Sequence, residues 1–96
     1  MKELFQNLGA SEGQMQTFLK LLELGVQPVS VVAKHVGVPR TTMYSTLDEL
    51  KKLGLVEEFE RAGIRYYKCI PIENLRDLLE ARMSKVAYTM ELLANK

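Results

Sequence analysis

The residues with the most to offer chemically are Arg40, Thr41, Thr42, Tyr44 and Ser45, gathered within six consecutive positions. Arginine presents a forked cation that pairs with phosphate or with the edge of guanine, and short hydroxyl side chains hydrogen-bond to phosphates or bases at close range. Together they suit the gripping of a polyanion and break no bond. Lys52 lies further along, and Arg61 and Arg65 flank Ala62-Gly63, with Lys68 beyond. Support for a reaction is much thinner. The single Cys69 and the single His35 stand apart, with no second metal ligand nearby in sequence and no evident catalytic partner. No phosphate-cradling glycine loop and no pair of acids suited to proton transfer appears. The expectation is therefore a binding protein with no catalytic residue, no cofactor and no metal.

Those residues need elements to hold them. Leu4, Phe5 and Leu8 at helical spacing, stopped by Gly9, predict a short first helix. Ser11 stands three residues before Gln14, the capping-box spacing, and opens a second helix whose apolar positions are Met15, Phe18, Leu19 and Leu22 and which Gly25 closes. Pro28 suits the first turn of a third helix, with Val29, Val32, Ala33 and Val36 as its buried stripe. Gly37-Val38 makes a tight turn, and Pro39 starts a fourth helix that runs to Gly54. At about 100° per residue, Met43, Leu47 and Leu50 share one side of it, while Thr41, Ser45, Asp48 and Lys52 fall opposite. Taken alone, that polar side is ordinary solvated surface. A helix facing only solvent, however, usually carries Glu and Lys pairs, whereas these first turns hold Arg, Thr and Ser, which are weaker helix formers. Tyr44, at the edge of the apolar stripe, suits core packing and a phosphate contact equally well.

After Gly54, Leu55 to Glu60 and Ile64 to Ile70 are β-branched or aromatic runs on either side of Arg61-Ala62-Gly63, which predicts a hairpin. The long last helix, Ile72 to Ala94, repeats Ile72, Leu79, Val86 and Leu93 every seven residues, with Met83 and Met90 interleaved. The expected fold is mainly α with a small β-hairpin: a winged helix-turn-helix over residues 1–71, then a dimerisation helix over residues 72–96. In that arrangement one helix enters a major groove of DNA and the hairpin tip reaches the flanking backbone. Leu79, Met83, Val86, Met90 and Leu93 are the expected dimer interface, because so small a core cannot cover the whole stripe.

Composition sets limits on this reading. A chain of 96 residues, 47% hydrophobic and 26% charged, has the make-up of one ordinary globular domain. Its net charge is only +1, from 13 Lys and Arg against 12 Asp and Glu, so any positive patch must be local. Glu57, Glu58 and Glu60 on the first hairpin strand are part of the balance. Three arrangements are open to them: pointing away from a polyanion, pairing with the arginines, or repelling phosphate. Near-neutrality also suits a second reading, a winged-helix module that binds protein rather than DNA. No apolar run approaches the ~20 residues of a bilayer span, and the N-terminus lacks a signal peptide's apolar core, so a cytoplasmic protein with no membrane partner is expected.

Leu8-Gly9-Ala10-Ser11-Glu12, Leu22-Glu23-Leu24-Gly25, Gly37-Val38-Pro39-Arg40-Thr41-Thr42-Met43-Tyr44, Leu50 to Val56 and Tyr67 to Pro71 resemble, in order and spacing, the DNA-binding domain of the TrmB-type transcription regulators, a sugar-responsive family typical of archaea. The resemblance implies a homodimer joined through the helix after the wing, on a pseudo-palindromic operator in double-stranded DNA. It also implies DNA contacts from Arg40, Thr41, Thr42, Tyr44 and Ser45, with Arg61 and Arg65 at the wing. Pro28 stands where the family often has a capping Ser or Thr, so a phosphate contact usual there is not carried over. Many members continue into a C-terminal sugar-binding domain, whereas this sequence stops at Lys96, which leaves a stand-alone regulator and a fragment both open. No effector pocket is legible in the residues.

Overall fold

The computed structural model describes residues 2–95, apart from the side chains of Lys2 and Ile72. The elements run α1 (Lys2–Asn7), α2 (Glu12–Leu24), β1 (Gln27–Pro28), α3 (Val29–Val36), α4 (Arg40–Lys52), β2 (Val56–Arg61), β3 (Ile64–Cys69) and α5 (Ile72–Ala94). Local chemistry explains most boundaries. Ser11 and Gln14 form the reciprocal capping box at the start of α2, with the Gln14 amide donating to Ser11 Oγ at 3.2 Å and the Ser11 amide donating to Gln14 Oε1 at 2.9 Å. Gly37 ends α3 at φ 83°, and its amide donates to the Ala33 carbonyl. A side chain at that φ would be strained, and the chain must reverse there to enter α4.

The core gathers one face of each helix around the sheet. Phe5 and Leu8 from α1 and its end, Phe18 and Leu21 from α2, Val29, Val32 and Ala33 from α3, and Met43, Leu47 and Leu50 from α4 are buried together with Leu55, Val56 and Tyr67. Phe5 and Phe18 meet edge to face at 5.2 Å between ring centres. The apolar sides expected for α3 and α4 are those that face inward. On α2 the expectation needs correction: Leu21 is buried beside Thr17, while Leu22 is exposed on the outer side. Leu21 and Leu22 lie three and four residues beyond Phe18 and both neighbour it, but α2 turns inward the face shared by Thr17, Phe18 and Leu21, which leaves Leu22 outside.

The hairpin is part of a three-stranded antiparallel sheet of order β1-β3-β2. Gln27 and Pro28 pair with Tyr67 and Tyr66, so Pro28 is not in the first turn of α3 but extended at its N-cap, at φ −73° and ψ 160°. Proline lacks an amide donor and is tolerated there because β1 lies at the sheet edge. The strands β2 and β3 are joined by Ala62 and Gly63, both at positive φ (52° and 77°), the pattern of a type I′ turn. Alanine is a poor choice at such a position, where asparagine is favoured. Ala62→Asn is expected to stabilise the fold by roughly 0.5–1 kcal/mol and raise the melting temperature by a few degrees, measured by circular dichroism.

The α5 helix leaves the body of the protein. Leu75, Leu78 and Leu79 pack partly against the core, but every residue from Glu80 to Asn95 is exposed. Its 23 residues, about 35 Å of helix, account for an overall shape of 53 × 23 × 20 Å. Among the described residues no helix is long and apolar enough to cross a membrane.

Candidate nucleic-acid interface

The outward side of α4 carries most of the residues singled out from sequence. Arg40, Thr41, Thr42, Ser45 and Lys52 are exposed, as is Asp48, while Met43, Leu47 and Leu50 anchor the helix from behind. Pro39 caps α4 without a side-chain hydrogen bond, and the first amide to bond back is that of Met43, donating to the Pro39 carbonyl. The amides of Arg40, Thr41 and Thr42 therefore begin a helix with its positive end toward solvent. Thr46 is committed internally, its Oγ1 donating to the Thr42 carbonyl at 3.0 Å. Tyr44 is half-buried, and the Arg40 guanidinium lies 5.9 Å from the centre of its ring. Of the two roles weighed for it, the tyrosine takes the packing role in part, and its ring also supports the arginine beside it.

Between the start of α4, the start of α3 and the hairpin lies an open cleft of about 500 Å³. Arg40 and Tyr44 line one wall, Ser30 and Pro28 the floor, and Glu60, Arg65 and Tyr66 the wing side. Sequence reasoning missed Ser30 and gave Glu60 no fixed place. The signal for Ser30 was faint, because its position depends on β1, a strand of two residues that brings the start of α3 against the wing.

Strand alternation separates the two wing arginines. Val56, Glu58 and Glu60 share a face with their partners Cys69, Tyr67 and Arg65, while Glu57, Phe59 and Arg61 share the other with Lys68, Tyr66 and Ile64. Arg65 therefore faces the body of the protein and Arg61 faces away. Glu58 pairs with Arg65 Nε at 3.1 Å and with Lys51 Nζ at 3.2 Å, which ties the wing to the last turn of α4. On the other face Lys68 pairs with Glu57 at 3.4 Å and lies 5.8 Å from the Phe59 ring, which stacks on Tyr66. Of the three arrangements open to the acidic strand, pairing with an arginine is observed for Glu58, whereas Glu57 pairs with a lysine instead. Arg40 and Arg61 pair with no carboxylate among the described residues.

The remaining reactive groups sit elsewhere. Cys69 is half-buried, its thiol donating to the Phe18 carbonyl at 3.5 Å, and burial pushes the thiol pKa up to about 12. At neutral pH it is a thiol, not a nucleophilic thiolate. Burial likewise raises the Tyr67 phenol, partly offset by Arg65 two residues along the same strand face. His35 is exposed on α3, and among the described residues no group of three or more His, Cys, Asp or Glu side chains gathers to hold a metal.

A model of the family described as sugar-specific transcriptional regulator TrmB matches residues 5–73. The chain belongs to the TrmB family. An uncharacterized protein of Methanocaldococcus jannaschii is 31% identical to this TrmB-family chain over 77 residues, 76% of this chain and 64% of that protein. The chain thus spans less than two thirds of that relative's length. A possible transcriptional regulator from Methanosarcina mazei superposes with a TM-score of 0.82 at 10% identity, covering 98% of this chain and 85% of its own. The homodimeric winged helix-turn-helix DNA-binding domain of a possible ArsR-family regulator from Mycobacterium bovis gives a TM-score of 0.60 at 24% identity, with the same coverage. At these identities the two structures establish the winged-helix fold, which is also the fold expected from the order of elements.

Proposed function

We propose that this TrmB-family protein binds double-stranded DNA as a homodimer and regulates transcription from a pseudo-palindromic operator. The observation that carries the reading is the exposed start of α4, where Arg40, Thr41, Thr42 and Ser45 stand beside a cleft walled by the wing. The α4 helix enters the major groove, and the sugar-phosphate backbone crosses the cleft. Arg40 supplies a charge-assisted contact to phosphate or guanine, the hydroxyls contact phosphates or base edges, and the free amides of the first turn point at a phosphate. Ser30 joins them from the start of α3. Arg61 reaches the flanking backbone from the wing tip, and Lys52 adds charge at the far end of the helix. Residues 72–96 form the dimerisation element, with the free seam beginning at Met83, since Leu79 is partly used by the protomer's own core.

Salt provides the test. Neutralising phosphates releases counterions, so affinity for duplex DNA is expected to fall steeply with salt, by about 0.9 in log–log slope for each phosphate contacted. Fluorescence anisotropy against mixed genomic fragments measures it. Absence of binding at about 100 μM protein in low salt, weaker than ordinary non-specific affinity, rejects the reading. That outcome favours the protein-binding module instead, a reading supported by the neutralisation of Lys51, Arg65 and Lys68 by wing carboxylates.

A further inference from the structure

A carboxylate beside a surface meant for phosphate needs a physical reason. Glu58 lies across from Tyr67 and diagonally from Arg65, on the face of the hairpin turned toward α4. Its side chain is only 20% exposed, wedged between α4 and β3, whereas the two cations it holds are about half exposed, Lys51 at 52% and Arg65 at 55%. Ion pairs this open to water add little to stability. Their stronger effect is on where the charge of Arg65 is available, because Arg65 lines the cleft with its Nε held by Glu58, and a phosphate entering the cleft must compete with that carboxylate for the guanidinium's charge.

We propose that Glu58 is a specificity-determining residue that withholds Arg65 from phosphate in loosely docked, sequence-independent complexes. The inference rests on the DNA-binding reading above. In a loose complex the phosphate stays some distance from the wing, its pull is screened within a Debye length of about 8–10 Å, and the carboxylate at 3.1 Å keeps the arginine. Once α4 is fully seated, the backbone lies in the cleft, and phosphate replaces Glu58 through direct charge-assisted hydrogen bonds. Non-specific sites thus receive one contact fewer than the operator does, which widens the gap between them. The same device explains how a DNA-facing wing carries so little net charge.

The experiment uses the full chain and random-sequence duplex DNA, with binding measured from about 50 to 200 mM salt. For Glu58→Gln the log–log slope is expected to steepen by about 0.9, so that the affinity lost across this range grows by about 3.5-fold relative to wild type. Glu57→Gln removes the same charge from the opposite face and is expected to keep the wild-type slope. In an Arg65→Ala background, Glu58→Gln is expected to add nothing. Glu58→Thr, a good strand former without charge, repeats the measurement should the glutamine variant melt early. An unchanged slope in both Glu58 variants, an equal rise in Glu57→Gln, or a rise that persists without Arg65 overturns the proposal. If the wild-type chain binds no duplex at all, it is the DNA-binding reading that fails, and this inference falls with it.

Discussion

Val86→Glu is expected to convert the proposed homodimer to a monomer while leaving the helix-turn-helix folded. In the single chain Val86 is 57% exposed, and Met83, Met90 and Leu93 on the same stripe are each 62% exposed. No described residue of the protomer buries them, so a charge at Val86 costs the isolated chain little. Across a two-fold interface the same substitution places two carboxylates in an apolar seam without partners, a penalty on the order of several kcal/mol. Operator binding then falls as well, because two half-sites are no longer linked, and that avidity is worth on the order of 10²-fold or more. Sedimentation velocity and light scattering give the mass, and a circular dichroism melt shows whether the fold survives. A monomeric wild type, or a Val86→Glu protein that remains dimeric, would mean that the exposed stripe of α5 is not the interface.

Arg40→Ala is expected to weaken operator binding by about 1–3 kcal/mol, roughly 5- to 150-fold, if the lost contact is to a base. Stability should hardly change. Arg40 pairs with no carboxylate among the described residues, and its approach to the Tyr44 ring at an exposed site is worth about 0.5–1 kcal/mol at most. The salt dependence separates two roles: loss of a phosphate contact reduces the slope by about 0.9, whereas loss of a base contact relaxes the sequence preference. Unchanged operator affinity in a folded variant removes Arg40 from the interface, and a large drop in melting temperature makes it a structural residue.

Features decided within a turn or two of chain were legible in the amino-acid sequence. The Ser11–Gln14 capping box joins residues three apart, Gly37 ends α3 by its own backbone freedom, and the stripe of Met43, Leu47 and Leu50 follows from the helical repeat. Because these signals come in a fixed order, they determined the elements and with them the winged-helix fold. They also determined that Thr41, Ser45, Asp48 and Lys52 lie on the side of α4 away from its apolar stripe. What the tertiary structure decided depends on groups that meet only after folding. Leu21 rather than Leu22 enters the core because of where α2 lies, and Cys69 is half-buried against Phe18, 51 residues away. Pro28 reads as a helix start until Tyr66 pairs with it. Arg61 and Arg65 look alike in sequence, but the two-residue turn sets a register that sends them to opposite faces, and only one then meets Glu58. Capping and helical periodicity act over a few residues and leave a local trace, whereas burial and ion pairing are properties of distant segments brought together, and no local pattern encodes which of two neighbours will find a partner.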